Sequence, residues 1–144
     1  MPFTGDVKVI GNLARNLRKL GDVPSRIAKR VADGITEELE HQFDTGTDPY
    51  GNAWAAIADA TLRRRRYSKS RIPLTDSGAM AAKTYAKPLP GKGVAVVVAA
   101  PGAIHQTGSK FMPARKILPD RGLPESWKRI IDDAARDAFR EALR

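Results

Sequence analysis

The segment DVPSRIAKRVADGITEELEHQF, residues 22–43, carries the strongest helical signal in this sequence. Large apolar residues recur at every fourth position within it: Ile27, Val31, Ile35, Leu39 and Phe43. That spacing places them along one face of an α-helix, and Pro24 falls in the first turn, where its missing N–H is tolerated. The other faces are basic near the start and acidic near the end, which opposes the helix dipole. We therefore predict a long N-terminal helix that tertiary or intersubunit packing must stabilise.

Two shorter elements are predicted on the N-terminal side of this helix. Asp6–Ile10 alternates polar and apolar residues, which is typical of a strand or of an extended N-terminal segment within residues 1–10. Asn12 is a good helix cap, and leucines follow it at helical spacing before Gly21. The sequence thus predicts a first, short helix that ends just before the long one.

The C-terminal half begins with the signals of a β-hairpin. A brief helical turn around Met80 leads into a predicted strand at Lys83–Leu89, and PGKG at residues 90–93 is typical of a turn. The apolar run VAVVVAA at Val94–Ala100 is the strongest strand signal in the chain. Because the run does not alternate, we predict a strand that is covered on both faces.

Beyond the hairpin, glycine and proline in residues 101–120 predict an extended arm. Residues 124–144 are predicted to form a final helix. Its apolar side consists of Trp127, Ile130, Ile131, Ala134, Ala138 and Leu143. A single domain of residues 1–144 accommodates all of these elements. The predicted fold class is α+β, in which a small, mainly antiparallel sheet packs against a long N-terminal helix and a C-terminal helix.

A loop and a further helix are predicted between the long helix and the hairpin. Asp44–Asn52, with the sequence DTGTDPYGN, consists largely of turn formers. Ala53–Arg66 is compatible with a helix that Trp54 and Ile57 anchor in the core. Four consecutive arginines end this segment, which suits a helix C-terminus although the four charges repel one another.

The excess positive charge lies in the middle of the chain. The formal net charge is +9. Residues 63–116 contain 12 basic residues and 1 acidic residue, whereas residues 1–62 contain 7 basic and 9 acidic residues, and residues 117–144 contain 6 of each. The middle segment should therefore present a positive surface to nucleic acid or to an acidic protein partner.

The candidate contact residues in this segment are Arg63, Arg64, Arg65, Arg66 and Arg71. Guanidinium groups next to Tyr67 are suited to DNA phosphates, which can be bound without sequence readout. The same residues are equally suited to acidic groups of an adjacent subunit, or to a solvated loop. The residue pattern leaves these three interpretations open.

The sequence offers no catalytic, metal-binding or cofactor-binding constellation. It contains no cysteine, which excludes disulfides and thiolate sites. His41 and His105 are far apart, and neither has a partner at metal-ligand spacing. No apolar run approaches the roughly 18 residues of a membrane span, and the N-terminus does not resemble a signal peptide. We expect a non-enzymatic protein without cofactors or a membrane partner, made and assembled in the cytoplasm.

The predicted arm contains the stretch HQTGSKFMPARKIL at His105–Leu118. Its apolar side chains need a surface that covers them. Two interpretations remain open, a cover for the protein's own sheet and a contact with a neighbouring subunit. The candidate intersubunit residues are Phe111, Met112, Pro113, Arg115 and Ile117.

Three distinctive blocks follow one another along the chain: DPYGNAW at Asp48–Trp54, LTDSG at Leu74–Gly78 and HQTGSKFMPAR at His105–Arg115. In this order the blocks resemble the phage virion morphogenesis or tail-completion family, which includes proteins of Mu-like and other contractile-tailed phages. The resemblance implies a long helix, a loop, a hairpin and a terminal helix. It also implies that Asp48, Gly51 and Trp54 shape a structural loop.

The same resemblance implies a structural virion protein, without catalytic residues, at the phage neck or the head-proximal end of the tail. It would join head to tail or complete the tail as a homo-oligomeric ring, for which we expect a hexamer. Its partners would then be neighbouring neck or connector proteins and tail tube or sheath proteins, with non-specific DNA contact left open. Two alternatives are a tail terminator ring that caps the tail tube and a free basic DNA-binding protein.

Overall fold

The computed structural model describes residues 20–144. In chain order the elements are α1 (Val23–Thr45), α2 (Asp59–Arg64), α3 (Ala79–Ala82), β1 (Tyr85–Leu89), β2 (Gly93–Val97), α4 (Gly102–Thr107) and α5 (Glu125–Ala142). The long N-terminal helix, the C-terminal helix and the antiparallel pair of strands confirm the predicted α+β class. The strand predicted at Asp6–Ile10 and the helix predicted from Asn12 lie outside the described residues.

Helix α1 supplies the central surface of the hydrophobic core. The predicted apolar stripe lies on its inner face, where Leu39 is fully buried, and Trp54 packs edge-on against Phe43 with ring centroids 5.5 Å apart. Further buried core residues are Val31, Ala32, Ile35, Ala86, Ile117, Trp127 and Ala134. The helix ends at Gly46, whose φ of 71° is left-handed and whose N–H donates to the Gln42 carbonyl at 2.8 Å.

Helix α5 crosses α1 at close range. It begins at Glu125, directly after Pro124 as predicted. Its buried residues are Trp127 and small alanines: Ala134, Ala138 and Ala142. A Cβ atom added to Gly34 of α1 would lie 2.6 Å from Cγ2 of Ile130. The Ile130 side chain therefore packs directly on the backbone of α1 at Gly34, where a larger residue would displace it.

The two strands form an antiparallel hairpin whose β1 edge is closed by α1. The Thr36 hydroxyl of α1 accepts a hydrogen bond from the Ala86 N–H at 3.0 Å. Because this N–H points away from β2, Ala86 and its partner Val96 form a non-hydrogen-bonded pair. Pro88 lies two residues further on, on the same side, so its missing N–H removes no bond between the strands. Thr36 thus fixes the hairpin to the helix.

Strand β2 is shorter and more open than predicted. It covers Gly93–Val97 and does not extend to Ala100. Its inner-face valines pack against the core, but its outer face lies beside Tyr85 and Lys87, which are both exposed. Val94 and Val96 on the inner face are only half-buried, as are Ala95 and Val97 on the outer face, so the prediction of a strand covered on both faces is wrong.

The helix predicted over Ala53–Arg66 is present only at Asp59–Arg64. Trp54 is buried, as predicted, but the chain around it is extended. The carbonyl groups of residues 55–56, which a helix would use internally, instead accept hydrogen bonds from the Arg115 guanidinium. The helix therefore begins later in the chain than predicted, because these carbonyl groups bond to Arg115, which is distant in sequence.

The segment 101–120 is not extended throughout, which corrects the prediction of an arm. It contains α4 at Gly102–Thr107, makes a tight turn and then returns across the protein. Ile117 is fully buried in the core and Arg115 is 8% exposed, so neither side chain is accessible to a neighbouring subunit. Glycine and proline correctly indicate where regular structure is interrupted in this segment. The path of the chain back to the core depends instead on hydrogen bonds with residues distant in sequence.

Replacing Thr36 tests the closed edge of the hairpin. The Thr36→Val variant keeps the side-chain shape and a similar helix propensity, but it leaves the buried Ala86 N–H without its acceptor. We therefore expect the free energy of unfolding, measured by urea denaturation, to fall by about 1–3 kcal/mol. Thr36→Ser keeps the hydroxyl and serves as the control. Equal losses in the two variants would show that the hydrogen bond contributes nothing.

Candidate functional site

The DPYGNAW loop is organised by one carboxylate. Oδ1 of Asp48 accepts hydrogen bonds from the N–H groups of Tyr50 and Asn52, both at 2.9 Å. Gly51 has a φ of 91°, which favours glycine, and donates its own N–H to the Asp48 carbonyl. These bonds reverse the chain so that Trp54 reaches the core.

Tyr50 connects this loop to the segment that precedes α5. Its hydroxyl accepts the N–H groups of Asp120 and Arg121, at 3.1 and 2.8 Å, and donates to the Gly122 carbonyl at 2.7 Å. The Arg121 guanidinium also lies 5.1 Å from the centroid of the Tyr50 ring. One side chain thus fixes three consecutive residues that lie in no helix or strand.

Two glutamines hold the returning part of the arm. Oε1 of Gln106 accepts the N–H groups of Ile117 and Leu118 at 2.8 and 2.9 Å, and its Nε2 donates to the Leu118 carbonyl at 2.9 Å. From α1, the buried Gln42 donates its Nε2 hydrogen to the Ile117 carbonyl at 3.0 Å. These amides replace the backbone partners that a neighbouring strand would provide. The segment is therefore attached to the core of its own chain.

Arg115 and Trp54 complete this attachment. The Arg115 guanidinium donates to the carbonyl oxygens of Ala55 and Ala56 at 2.8 and 3.0 Å. The Trp54 indole N–H donates to the Lys116 carbonyl at 2.8 Å. Hydrogen bonds thus join the last residue of each block, Trp54 or Arg115, to the residues that directly follow the other block.

The tip of the arm is the part that remains accessible. Ser109 and Met112 exchange backbone hydrogen bonds across a tight turn. Phe111 at the tip is 92% exposed, Pro113 is exposed and Met112 is half-buried. Of the five residues predicted to contact a neighbour, these three are accessible in the structure.

The arginine run contains one buried side chain and three exposed ones. Arg65 is 9% exposed, and its guanidinium donates to the carbonyl groups of residues 70 and 72. The exposed side chains are Arg63, Arg64 and Arg66. Arg71 is also exposed and lies 3.5 Å from the Asp59 carboxylate. Arg65 therefore holds its own loop, and the other arginines remain available to a partner.

Four cationic side chains line a cleft of about 920 Å³. Its charged lining residues are Arg64, Arg65, Lys83, Arg115 and a single carboxylate, Asp76. We call it the basic cleft. Its apolar lining residues include Ile57, Met80, Phe111 and Met112. The cleft thus combines cations with apolar side chains, which suits an acidic partner with some apolar surface.

The charges inside the basic cleft influence one another. Desolvation raises the pKa of Asp76, but backbone N–H groups of residues 66–68 and the nearby charge of Arg65 together lower it by more, so the pKa lies below its ordinary value and this carboxylate stays ionised. Burial lowers the pKa of Arg115, and the nearby charge of Arg65 lowers it further. Burial and the charge of Arg115 also lower the pKa of His105, which favours its neutral form. Neither buried arginine has a carboxylate ion-pair partner among the described residues.

An apolar groove of about 620 Å³ lies between α1, β2 and α5. Its lining includes Val23, Ile27, Val94, Leu123, Trp127 and Phe139. Leu20, the first described residue, also lies at this groove. An apolar concave surface of this kind suits contact with another protein segment.

The described part of the chain contains neither a metal-binding cluster nor a helix suited to a membrane. Within residues 20–144, no group of three or more His, Asp and Glu side chains is placed to hold a metal ion. His41 lies at the surface of α1, whereas Nδ1 of His105 is buried without a hydrogen-bond partner among these residues. No helix in this part of the chain has the length and apolar character that a membrane span requires.

Sequence reasoning missed the structural roles of Gln42, Gln106 and Tyr50. Gln106 and Tyr50 lie inside two of the quoted blocks, which is the only signal that could have singled them out. Gln42 is adjacent to the apolar stripe of α1 and is 3% exposed. Periodicity alone does not distinguish such a position from a solvated one.

Replacing Gln106 tests the attachment of the arm. The Gln106→Leu variant preserves the side-chain volume but removes partners from three backbone groups of Ile117 and Leu118. We expect the free energy of unfolding in urea to fall by at least about 1–3 kcal/mol. Gln106→Glu keeps the acceptor and loses the donor, so its loss should be smaller. A Gln106→Leu variant as stable as the parent would contradict this account.

The sequence model of the Phage virion morphogenesis family matches residues 6–139, which include the loop, the basic cleft, the arm and most of α5. No curated protein and no solved structure matches the chain. The match spans nearly the whole sequence, and it points to a structural or assembly role in the phage particle. The chain therefore belongs to the phage virion morphogenesis family.

Proposed function

We propose that the protein is a non-enzymatic structural subunit at the phage neck or the head-proximal end of the tail. There a ring of copies, which we expect to be a hexamer, joins head to tail or completes the tail. The observation that carries the proposal is the family match over residues 6–139. Neighbouring neck or connector proteins and tail tube or sheath proteins would be its partners in the virion.

The described surface supports a subunit that neighbouring proteins complete. Phe111 is 92% exposed at the tip of a turn that hydrogen bonds hold in shape. The apolar groove and the basic cleft offer two further surfaces of different chemistry. Exposed apolar patches with polar rims are characteristic of protein–protein contacts. Such surfaces favour a component of an assembly over an isolated protein.

Two alternatives differ in the partner that the protein meets. A tail terminator ring would cap the tail tube and stop its growth. A free DNA-binding protein is favoured by the basic residues 63–116. The structure reduces the number of cations available for DNA, because Arg65 and Arg115 are buried in bonds to carbonyl groups and Lys116 is paired with Asp120. The DNA alternative is therefore the weaker of the two.

Electron microscopy of particles made without this protein tests the proposal. We expect full heads beside separate tails of normal length, because a joining or completion subunit is needed after each part has formed. The same phage supplied with the protein from a plasmid is the control and should recover attached tails. Tails of uncontrolled length would favour the terminator, whereas intact, infectious particles would contradict any structural role.

The DNA alternative is tested by replacing the three exposed arginines of the run with glutamine, as Arg63→Gln, Arg64→Gln and Arg66→Gln together. Arg65 is left in place because it holds its own loop. We expect particles that carry this variant to package and retain DNA normally. If the protein is a DNA binder, the plot of log affinity against log salt concentration should instead become shallower by about 0.9 for each lost phosphate contact. A variant of the exposed Arg129 and Arg136 to glutamine is the control.

A further inference from the structure

The outer face of α1 carries a stripe of carboxylates. Asp33, Glu37, Glu40 and Asp44 are separated by four, three and four residues, which aligns them on one side of the helix. All four are exposed, and the side opposite to them is the buried stripe of Val31, Ile35, Leu39 and Phe43. We call these four residues the acidic stripe.

The acidic stripe is electrostatically unfavourable in the isolated chain. Like charges at these spacings repel one another by about 0.2–0.5 kcal/mol per pair. Asp44 also lies in the last turn of the helix, where the dipole favours cations. Among the described residues, none of the four carboxylates is in an ion pair. A cationic surface brought against this face would relieve both penalties.

The basic cleft has the complementary chemistry. Arg64 and Lys83 are exposed on its lining, and the more buried Arg65 and Arg115 also line it, without a carboxylate ion-pair partner among the described residues. Asp76, its one lining carboxylate, is already engaged by backbone N–H groups. The cleft therefore keeps an excess of positive charge that a row of carboxylates would neutralise.

We propose that the acidic stripe of one copy docks against the basic cleft of the next copy. Both surfaces are present on every chain but differ from each other, so the contact is head-to-tail and generates a closed ring or an open helix of copies. This inference rests on the ring of the proposed function and specifies the surfaces that form it. The stripe spans eleven residue steps, about 16 Å along the helix.

A second copy fits the cleft better than DNA does. DNA would neutralise the cleft but would leave the acidic stripe unpaired, and the carboxylates would repel the phosphates of any duplex that approached α1. Contact between two copies satisfies both surfaces at once. Charge complementarity of this kind also selects the orientation of the partners.

Charge reversal on each surface tests the contact in solution. The Glu37→Lys/Glu40→Lys variant reverses the stripe, and the Arg64→Glu/Lys83→Glu variant reverses the cleft. Sedimentation velocity of the full-length protein at low ionic strength should show self-association of the parent, and each variant should weaken it by roughly 100-fold. A mixture of the two variants should recover association, because each reversed surface then meets its complement.

Matched controls separate this contact from a general effect of charge. Asp132→Lys/Asp133→Lys and Arg129→Glu/Arg136→Glu change the net charge by the same amounts on the exposed side of α5. They should associate like the parent, and circular dichroism should show that all four variants fold. The proposal is overturned if the parent stays monomeric, if the variants associate like the parent, or if mixing restores nothing. It is also overturned if added duplex DNA, and not a second copy, proves to be what the cleft binds.

The particle assay distinguishes this inference from the proposed function. If loss of the protein leaves heads and tails unattached but both charge-reversed variants restore attachment, the proposed function stands and the head-to-tail contact fails. If loss of the protein leaves particles intact, the proposed function fails, whatever the solution experiment shows. If each charge-reversed variant alone abolishes the attachment of heads to tails and the two together restore it, both the proposed function and the head-to-tail contact are supported.

Discussion

The fold depends on the buried face of α1, because no other element offers a comparable apolar surface in the described part of the chain. A two-stranded hairpin is at best marginally stable in water, so the sheet must pack against this helix. Thr36 attaches β1 at its edge, Gly34 admits α5 at close range, and the Phe43–Trp54 contact positions the loop after the helix. A change that displaces α1 would therefore affect the hairpin, the arm and α5 together.

Buried polar side chains, more than apolar ones, fix the path of the chain after the hairpin. Gln42, Gln106 and Arg115 supply partners for backbone groups in segments that have no neighbouring strand. Each of these bonds joins parts of the chain that are distant in sequence, and a buried carbonyl or N–H without such a partner is costly. The buried residues of the sequence blocks therefore act as a scaffold, whereas Phe111 at the tip of the arm is exposed.

The net charge does not show that positive and negative side chains lie on different surfaces of the protein. Two of the cations in residues 63–116, Arg65 and Arg115, donate hydrogen bonds to carbonyl groups of their own chain and so hold its loops in place. Both of these arginines also line the basic cleft, together with the exposed Arg64 and Lys83, while four carboxylates of α1 are in no ion pair among the described residues. A protein with two unlike charged faces is suited to repeated assembly, which agrees with membership of a virion morphogenesis family.

The sequence by itself determined the elements whose signal is local. The apolar period predicted α1, the PGKG turn and the valine run predicted the hairpin, and Pro124 predicted the start of α5. Tertiary structure alone decided that the helix before the arginines is short, that the arm returns to the core, and that Arg65 and Arg115 are buried. The physical reason is distance along the chain. The bonds from Arg115 to Ala55 and from Gln42 to Ile117 join residues that no periodicity or local propensity connects.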